Sequence, residues 1–206
     1  MSRLVVAPLV EGHGEVEAVP ILLRRIWFEM VRGESIEILH PIRFKRTKLV
    51  RPDQPRARID RPEFDRLMQL AALKLASRAA AHAGQMALLL VDADHDCPAE
   101  LAPQCVPLNP AVDLAVVVAN VEYETWLVAA APALTAFLKY HSNDDVRDPE
   151  AARCGKPWVA KRLRVGRYAE TVDQAKLTAR MDLALCRSRS PSFDKLCREL
   201  ERRARQ

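Results

Sequence analysis

Three apolar runs, each stopping at an acid, constrain this chain more than any other feature. "LVVAPLV" (4–10) runs into Glu11, and "MALLLV" (86–91) runs into Asp92. "LAVVVA" (114–119) is followed by Glu122 and Glu124. Runs with no polar face suit strands covered on both sides, as in parallel sheets under helices. Between them, Val16, Val19, Leu23, Ile26, Trp27 and Met30 recur at helical spacing, which predicts a helix over 16–31 with Pro20 in its first turn. A second strand is expected over 35–44, with Pro41 placing it near an edge or a bulge. A Pro- and Arg-rich loop (45–61) and a helix over 62–83 opened by Pro62 follow. Strands at 86–94 and 112–120 and a helix through Trp126 and Leu134 complete the series. The order predicts an α/β fold, a mostly parallel Rossmann-like sheet flanked by helices. Residues 142–170 are polar, and two helices (172–186 and 191–205) form a helical C-terminal extension. We expect a core over 1–140, with 141–206 packed on it as one structural unit.

With 206 residues, 49% of them hydrophobic, the chain has enough apolar surface for one sizeable core. Its apolar runs are too short to span a bilayer, so no membrane partner is expected. Met1-Ser2-Arg3 leads into a strand without a signal-peptide core, so the expected location is the cytoplasm. Five cysteines without a CxxC pair read as reduced thiols, and Cys97 has no partners at zinc spacing. A net charge of +5 suits an anionic partner.

Ligands of open parallel sheets bind beyond the carboxyl ends of the strands, where these acids fall. In "DADHD", strand alternation would align Asp92 and Asp94 on one face, with Asp96 continuing it. Carboxylates gathered at one edge repel unless a cation lies between them, and oxygen-only donors suit Mg²⁺ or Mn²⁺. Gly12 and Gly14 let the chain turn so that Glu11 points outward. A dinucleotide loop fits poorly, because "GHGEVE" lacks the third glycine and its acids would repel a pyrophosphate; a P-loop is absent. The plainer alternative is that Glu15 favours a helix N-terminus and "DADHD" is a solvated turn.

"LVEGHGEVEAV" followed by "LLLVDADHD" resembles a Toprim domain, the metal-binding module of topoisomerases, bacterial primases and OLD-type nucleases. In that family a glutamate follows the first strand, commonly as Glu-Gly, and a DxD motif follows a later one. Glu11-Gly12 and Asp92-Ala93-Asp94 match these, and Glu15 matches the second acid of the OLD-type "VEGxxE" form. More narrowly, "VEGHGE", "LLLVDADHD", "NVEYETWLVAA" and "YAETVDQAKLTARMDL…SPSF" resemble the bacterial family catalogued as domain of unknown function 4276. Glu124 stands where that family has its Glu-x-Trp, with Glu122 as the alternative or as a helix cap.

The resemblance implies a Toprim-like Mg²⁺- or Mn²⁺-dependent nuclease acting on DNA or RNA. Glu11, Asp92, Asp94, Asp96 and Glu124 are its candidate metal ligands, and Glu15 a further catalytic acid. OLD-type nucleases use a lysine near the metals, a place open to Lys156 or Lys176. Lys156, between Gly155 and Pro157, is expected in a loop. His13 and His95 flank the acids as ligands, proton shuttles or solvated loop residues. Eight basic residues between Arg43 and Arg61 either contact phosphates or form a solvated loop. The rival reading is a non-catalytic Toprim-like subunit, or a nucleic-acid- or nucleotide-binding regulator, working with a separate P-loop ATPase partner.

Overall fold

The computed structural model describes residues 3–52, 56–78, 84–108 and 112–205. Asp53 and His82 lie outside them. The first apolar run forms β1 (Arg3–Val10), buried from Leu4 to Val10. Helix α1 (His13–Arg25) follows and passes into a π-helical turn, Ile26–Val31. The helix begins three residues before the apolar pattern, because the Glu15 side chain reaches back to its start. Pro20 therefore sits inside α1 and not in its first turn, at a half-buried position. The next segment divides around Pro41 into β2 (Ser35–Ile38) and β3 (Ile42–Arg43), both parallel to β1. Residues 45–61, expected as a loop, carry the single-turn helix α2 (Arg46–Leu49) and a small antiparallel pair, β4 (Val50–Arg51) with β5 (Arg58–Ile59).

Asp60 caps α3 (Arg61–Ala76) by accepting from the Glu63 N–H at 3.0 Å, one residue ahead of the helix. The second apolar run forms β6 (Gly84–Asp92). A short helical crossover containing α4 (Pro98–Leu101) leads to β7 (Leu114–Ala119), and α5 (Tyr123–Ala129) follows at once. The main sheet runs β2-β1-β6-β7, all parallel, with β3 also on β1. The α/β architecture with a mostly parallel, helix-flanked sheet is as expected. Between β1 and β6 the strand order reverses, the position at which such sheets open a crevice.

Alternation along each strand feeds two cores. Val6, Met86, Leu88, Leu90 and Val117 face α1, α5 and the C-terminal helices. Val5, Ala7, Leu9, Ala87, Leu89 and Val91 face α3, with Phe64, Leu67 and Ala71. The segment from 142 to 170 is not wholly irregular, since α6 (Lys156–Arg162) forms within it. The helix expected over 172–186 is broken into a π-helical turn (Glu170–Gln174), α7 (Ala175–Thr178) and α8 (Leu183–Arg189). Asp182 caps α8, which explains why the helical pattern restarts there. Helix α9 (Pro191–Ala204), capped by Ser190, inserts Phe193, Leu196, Cys197 and Leu200 into the core shared with the sheet. Among the described residues no helix is long and apolar enough to cross a membrane.

Candidate functional site

Because the strands are parallel, the carboxyl ends of β1, β6 and β7 lie along one edge. Glu11 leaves β1, Asp92 ends β6, and Glu122 and Glu124 open α5 just beyond β7. Glu15 joins them from α1. Its Oε2 accepts from the N–H groups of Glu11 (2.8 Å) and Gly12 (3.1 Å), which holds the turn after β1. Asp92 Oδ1 accepts from the Tyr123 N–H at 2.9 Å, tying the end of β6 to the start of α5. Glu124 is 1% exposed, on the opposite side of α5 from Trp126, which packs against Tyr123 and Phe193.

The second wall comes from the C-terminal part. Tyr168 donates to Glu124 Oε1 at 2.8 Å, and Gln174 Nε2 lies 3.5 Å from the same oxygen. Lys156 Nζ pairs with Glu170 at 3.0 Å. It is the first residue of α6, not a loop residue as expected, because Pro157 suits a helix start. Glu122 accepts from the Lys156 N–H and so caps α6, leaving no room for a side chain at Gly155. A Cβ on Gly14 would lie 2.6 Å from the Glu170 carbonyl oxygen, so glycine is what permits this wall to close on α1.

The acids share one electrostatic environment. Burial pushes the Glu11 carboxyl up to about 7; Asp94 adds to this, while Arg46, the Asp92 N–H and Lys156 oppose it. Burial likewise takes Glu15 to about 7 against its two backbone hydrogen bonds, with Glu11 and Glu124 adding. Glu124 also reaches about 7 through burial, despite Lys156 and the Tyr168 hydroxyl. Asp92 is raised well above the usual carboxylate range, by burial first and then by Glu15, Glu11, Glu124 and Glu122. For Lys156, burial works against the charge, but Glu170, Glu124 and Glu122 outweigh it and raise its pKa. Tyr168 is raised by burial and by Glu124, which keeps its hydroxyl a donor.

Asp94 and Asp96 do not continue the line. The strand ends at Asp92, and Asp94 takes φ +50°, so the alternation expected through "DADHD" stops there. Arg46, carried on α2, pairs with Asp94 Oδ2 at 3.2 Å and also with Asp96. His95 Nδ1 lies 3.3 Å from Arg153, which donates to the Asp94 carbonyl at 2.5 Å. His13 is exposed at the start of α1. Lys176 lines a small cavity with Phe137, Leu163 and Asp173. Cys97 is exposed and, like the other four cysteines, free. The acids at the edge are thus Glu11, Glu15, Asp92, Glu122 and Glu124, with Asp94 near Glu11 but held by Arg46.

Sequence reasoning did not single out Tyr168, Glu170, Gln174 or Arg46. The first three fall in the "YAETVDQ" motif, which carried a family resemblance but no chemistry. Arg46 was one basic residue among eight.

Among the described residues, no group of three or more His, Cys, Asp and Glu side chains is arranged to hold a metal ion. The donor set still suits a hard cation in a more open way. Mg²⁺ is commonly held by one or two carboxylates, with waters and a substrate phosphate completing its octahedron. Glu11 Oε2 is buried without a hydrogen-bond partner, and so is Gln174 Oε1. Unpaired buried oxygens beside mutually repelling carboxylates are what such an ion would satisfy.

No curated protein and no solved structure matches the chain. One family model matches residues 10–201, which take in every acid of the edge and the wall that closes it. The chain belongs to the family described as a domain of unknown function (DUF4276).

Proposed function

We propose that this protein is a Mg²⁺- or Mn²⁺-dependent phosphodiesterase acting on nucleic acid through a Toprim-type acidic edge. One observation carries the reading: Glu11, Asp92 and Glu124, brought together where the neighbouring strands β1, β6 and β7 end, are desolvated beside the point where strand order reverses. Carboxylates gathered and desolvated at one strand edge support a functional reading, because burying them for packing alone is costly. The Toprim resemblance of "VEGHGE" and "VDAD" supports the choice of reaction.

In this reading Glu11 and Asp92 hold the ion, and Glu124 either joins them as a carboxylate or takes a proton, the role that a metal-free pKa of about 7 suits. The ion, when bound, would supply charge neutralisation at the phosphate and a water of lowered pKa. Tyr168 fixes Glu124, and Lys156, tethered by Glu170 and close enough for its charge to act on Glu11 and Glu124, would be the group to meet a phosphate oxygen. Glu15 is a positioning residue, since it holds the turn from which Glu11 projects.

A second reading, a non-catalytic subunit working with a separate ATPase, is favoured by one observation. As placed, the described acids form no three-ligand group. The two separate in an assay of purified protein on labelled DNA and RNA with Mn²⁺ or Mg²⁺. Cutting that is lost with EDTA and with Asp92→Asn supports the phosphodiesterase. No cutting of either polymer, with binding retained, supports the subunit.

A further inference from the structure

The acidic edge is divided. Asp92 faces the buried carboxylates, whereas Asp94 and Asp96 lie beyond the strand end and already have a positive partner. Arg46 makes four kinds of contact there. Its Nε donates to the Asp92 carbonyl at 3.0 Å and sits 3.2 Å from Asp94 Oδ2. Its Nη2 donates to the Ala93 carbonyl at 3.1 Å and to the Asp96 carboxylate. The Arg46 side chain is 15% exposed, so it is held among its partners, although Asp94 (46%) and Asp96 (27%) are partly open to solvent. A planar guanidinium suits such multiple, directed contacts, which an ammonium cannot reproduce. The turn itself is held independently by Asp94 N–H to Val121 carbonyl (2.8 Å) and Asp96 N–H to Ala93 carbonyl (2.8 Å).

We infer that Arg46 is the resident counter-ion of the "DADHD" turn, so that Asp94 and Asp96 are not metal ligands and the edge takes a single divalent cation, on the Glu11–Asp92–Glu124 side. The inference rests on the proposed metal-dependent reading and departs from the sequence resemblance, in which both aspartates of the DxD motif are ligand candidates. Its physical basis is charge. A second dication beside Asp94 would have to displace a guanidinium that carries two carboxylates and two carbonyls. Arg46 offsets one of the two carboxylate charges there, and Arg153, which donates to the Asp94 carbonyl, offsets the other, so attraction for a further cation is small. Arg46 also lies on α2, whose helix leads directly into the basic β4–β5 pair. The same arginine therefore ties the acidic edge to that basic surface.

Mn²⁺ alone is the probe, counted by equilibrium dialysis and by the electron paramagnetic resonance of the bound ion. Measurements belong at about pH 8, above the values near 7 of Glu11 and Glu124, so that protons compete less at those two groups. The parent protein should bind one Mn²⁺ per chain with no spin-coupled pair. Asp92→Asn should weaken that binding by at least about tenfold. Asp94→Asn and Asp96→Asn should each leave it within about threefold. Arg46→Met, which keeps the length and removes the charge, should gain a second bound ion, and Arg46→Lys should not. Two ions per parent chain, or Asp94→Asn weakening binding as much as Asp92→Asn, overturns the inference while leaving the metal-dependent reading standing. No bound ion in the parent overturns both. Should Arg46→Met fail to fold, the two asparagine variants still decide.

Discussion

Glu124 is the residue whose behaviour separates a functional acid from a structural one. A glutamate kept for helix capping would face water, yet this one is buried, bonded by Tyr168 and repelled by neighbouring acids. Glu124→Gln removes the charge and keeps the volume. At about pH 5 the parent carboxyl is protonated and the variant should melt with it. At about pH 8 in metal-free buffer the variant should be the more stable, by on the order of 1–3 kcal/mol, because it no longer carries a desolvated charge. The same variant should lose part of the upward melting shift that Mn²⁺ gives the parent. Equal melting at both pH values would make Glu124 an ordinary solvated acid. Gly14 supplies a second test at this scale. Gly14→Ala pushes a methyl against the Glu170 carbonyl, and should cost on the order of 1–3 kcal/mol. It should weaken Mn²⁺ binding along with stability, since the displaced segment carries Tyr168 and Gln174.

Among the elements, the acids come from the end of β1, from α1, from the end of β6 and from α5, and each carries its carboxyl to the edge at the cost of burial. Glu11, Glu15 and Glu124 have folded values near 7 against an ordinary 4.5. The folded protein therefore holds protons that the unfolded chain has released between those values. Metal-free stability should be greatest at or below about pH 4.5 as far as these groups decide it, and should fall as pH rises to about 7. Saturating Mg²⁺ should flatten or reverse that slope, which denaturant melts across the range would read directly. A slope unchanged by Mg²⁺ would mean that protons alone settle the edge.

The strands behind this were legible in sequence because continuous apolar runs leave few alternatives, and the acids that end them were legible for the same reason. The turn after β6 was not. Period-two reasoning assumes an extended chain, and Asp94 leaves it with a positive φ. Helix starts were missed where a polar side chain set them, as at Glu15 for α1 and Glu122 for α6. Tyr168 and Gln174 reach the site from more than 40 residues away in sequence, through tertiary packing that no local pattern encodes.

At the scale of the molecule, the candidate site is closed by the C-terminal part, which packs on the sheet. Phe193, Leu196 and Leu200 of α9 share a core with Trp126, Val117 and Leu88, and Arg203 anchors the end of the helix on Asp113 at 2.7 Å. Phe193→Ala should cost about 3–5 kcal/mol. It should lower a single melting transition and not create a second one, because no separate core is left in the C-terminal part to melt alone. Two resolved transitions would contradict that coupling. The wall carrying Lys156, Tyr168 and Gln174 would then be a detachable piece. On the proposed reading, the edge where β1 and β6 end holds a divalent cation on Glu11 and Asp92. Anomalous scattering from a Mn²⁺-soaked crystal locates the ion itself. One strong peak is expected within about 2.0–2.6 Å of carboxylate oxygens of Glu11 and Asp92, with Arg46 still paired to Asp94 and Asp96. A map with no peak at that edge, or with its peak at Asp94 and Asp96 and Arg46 displaced, would rule out a cation on Glu11 and Asp92.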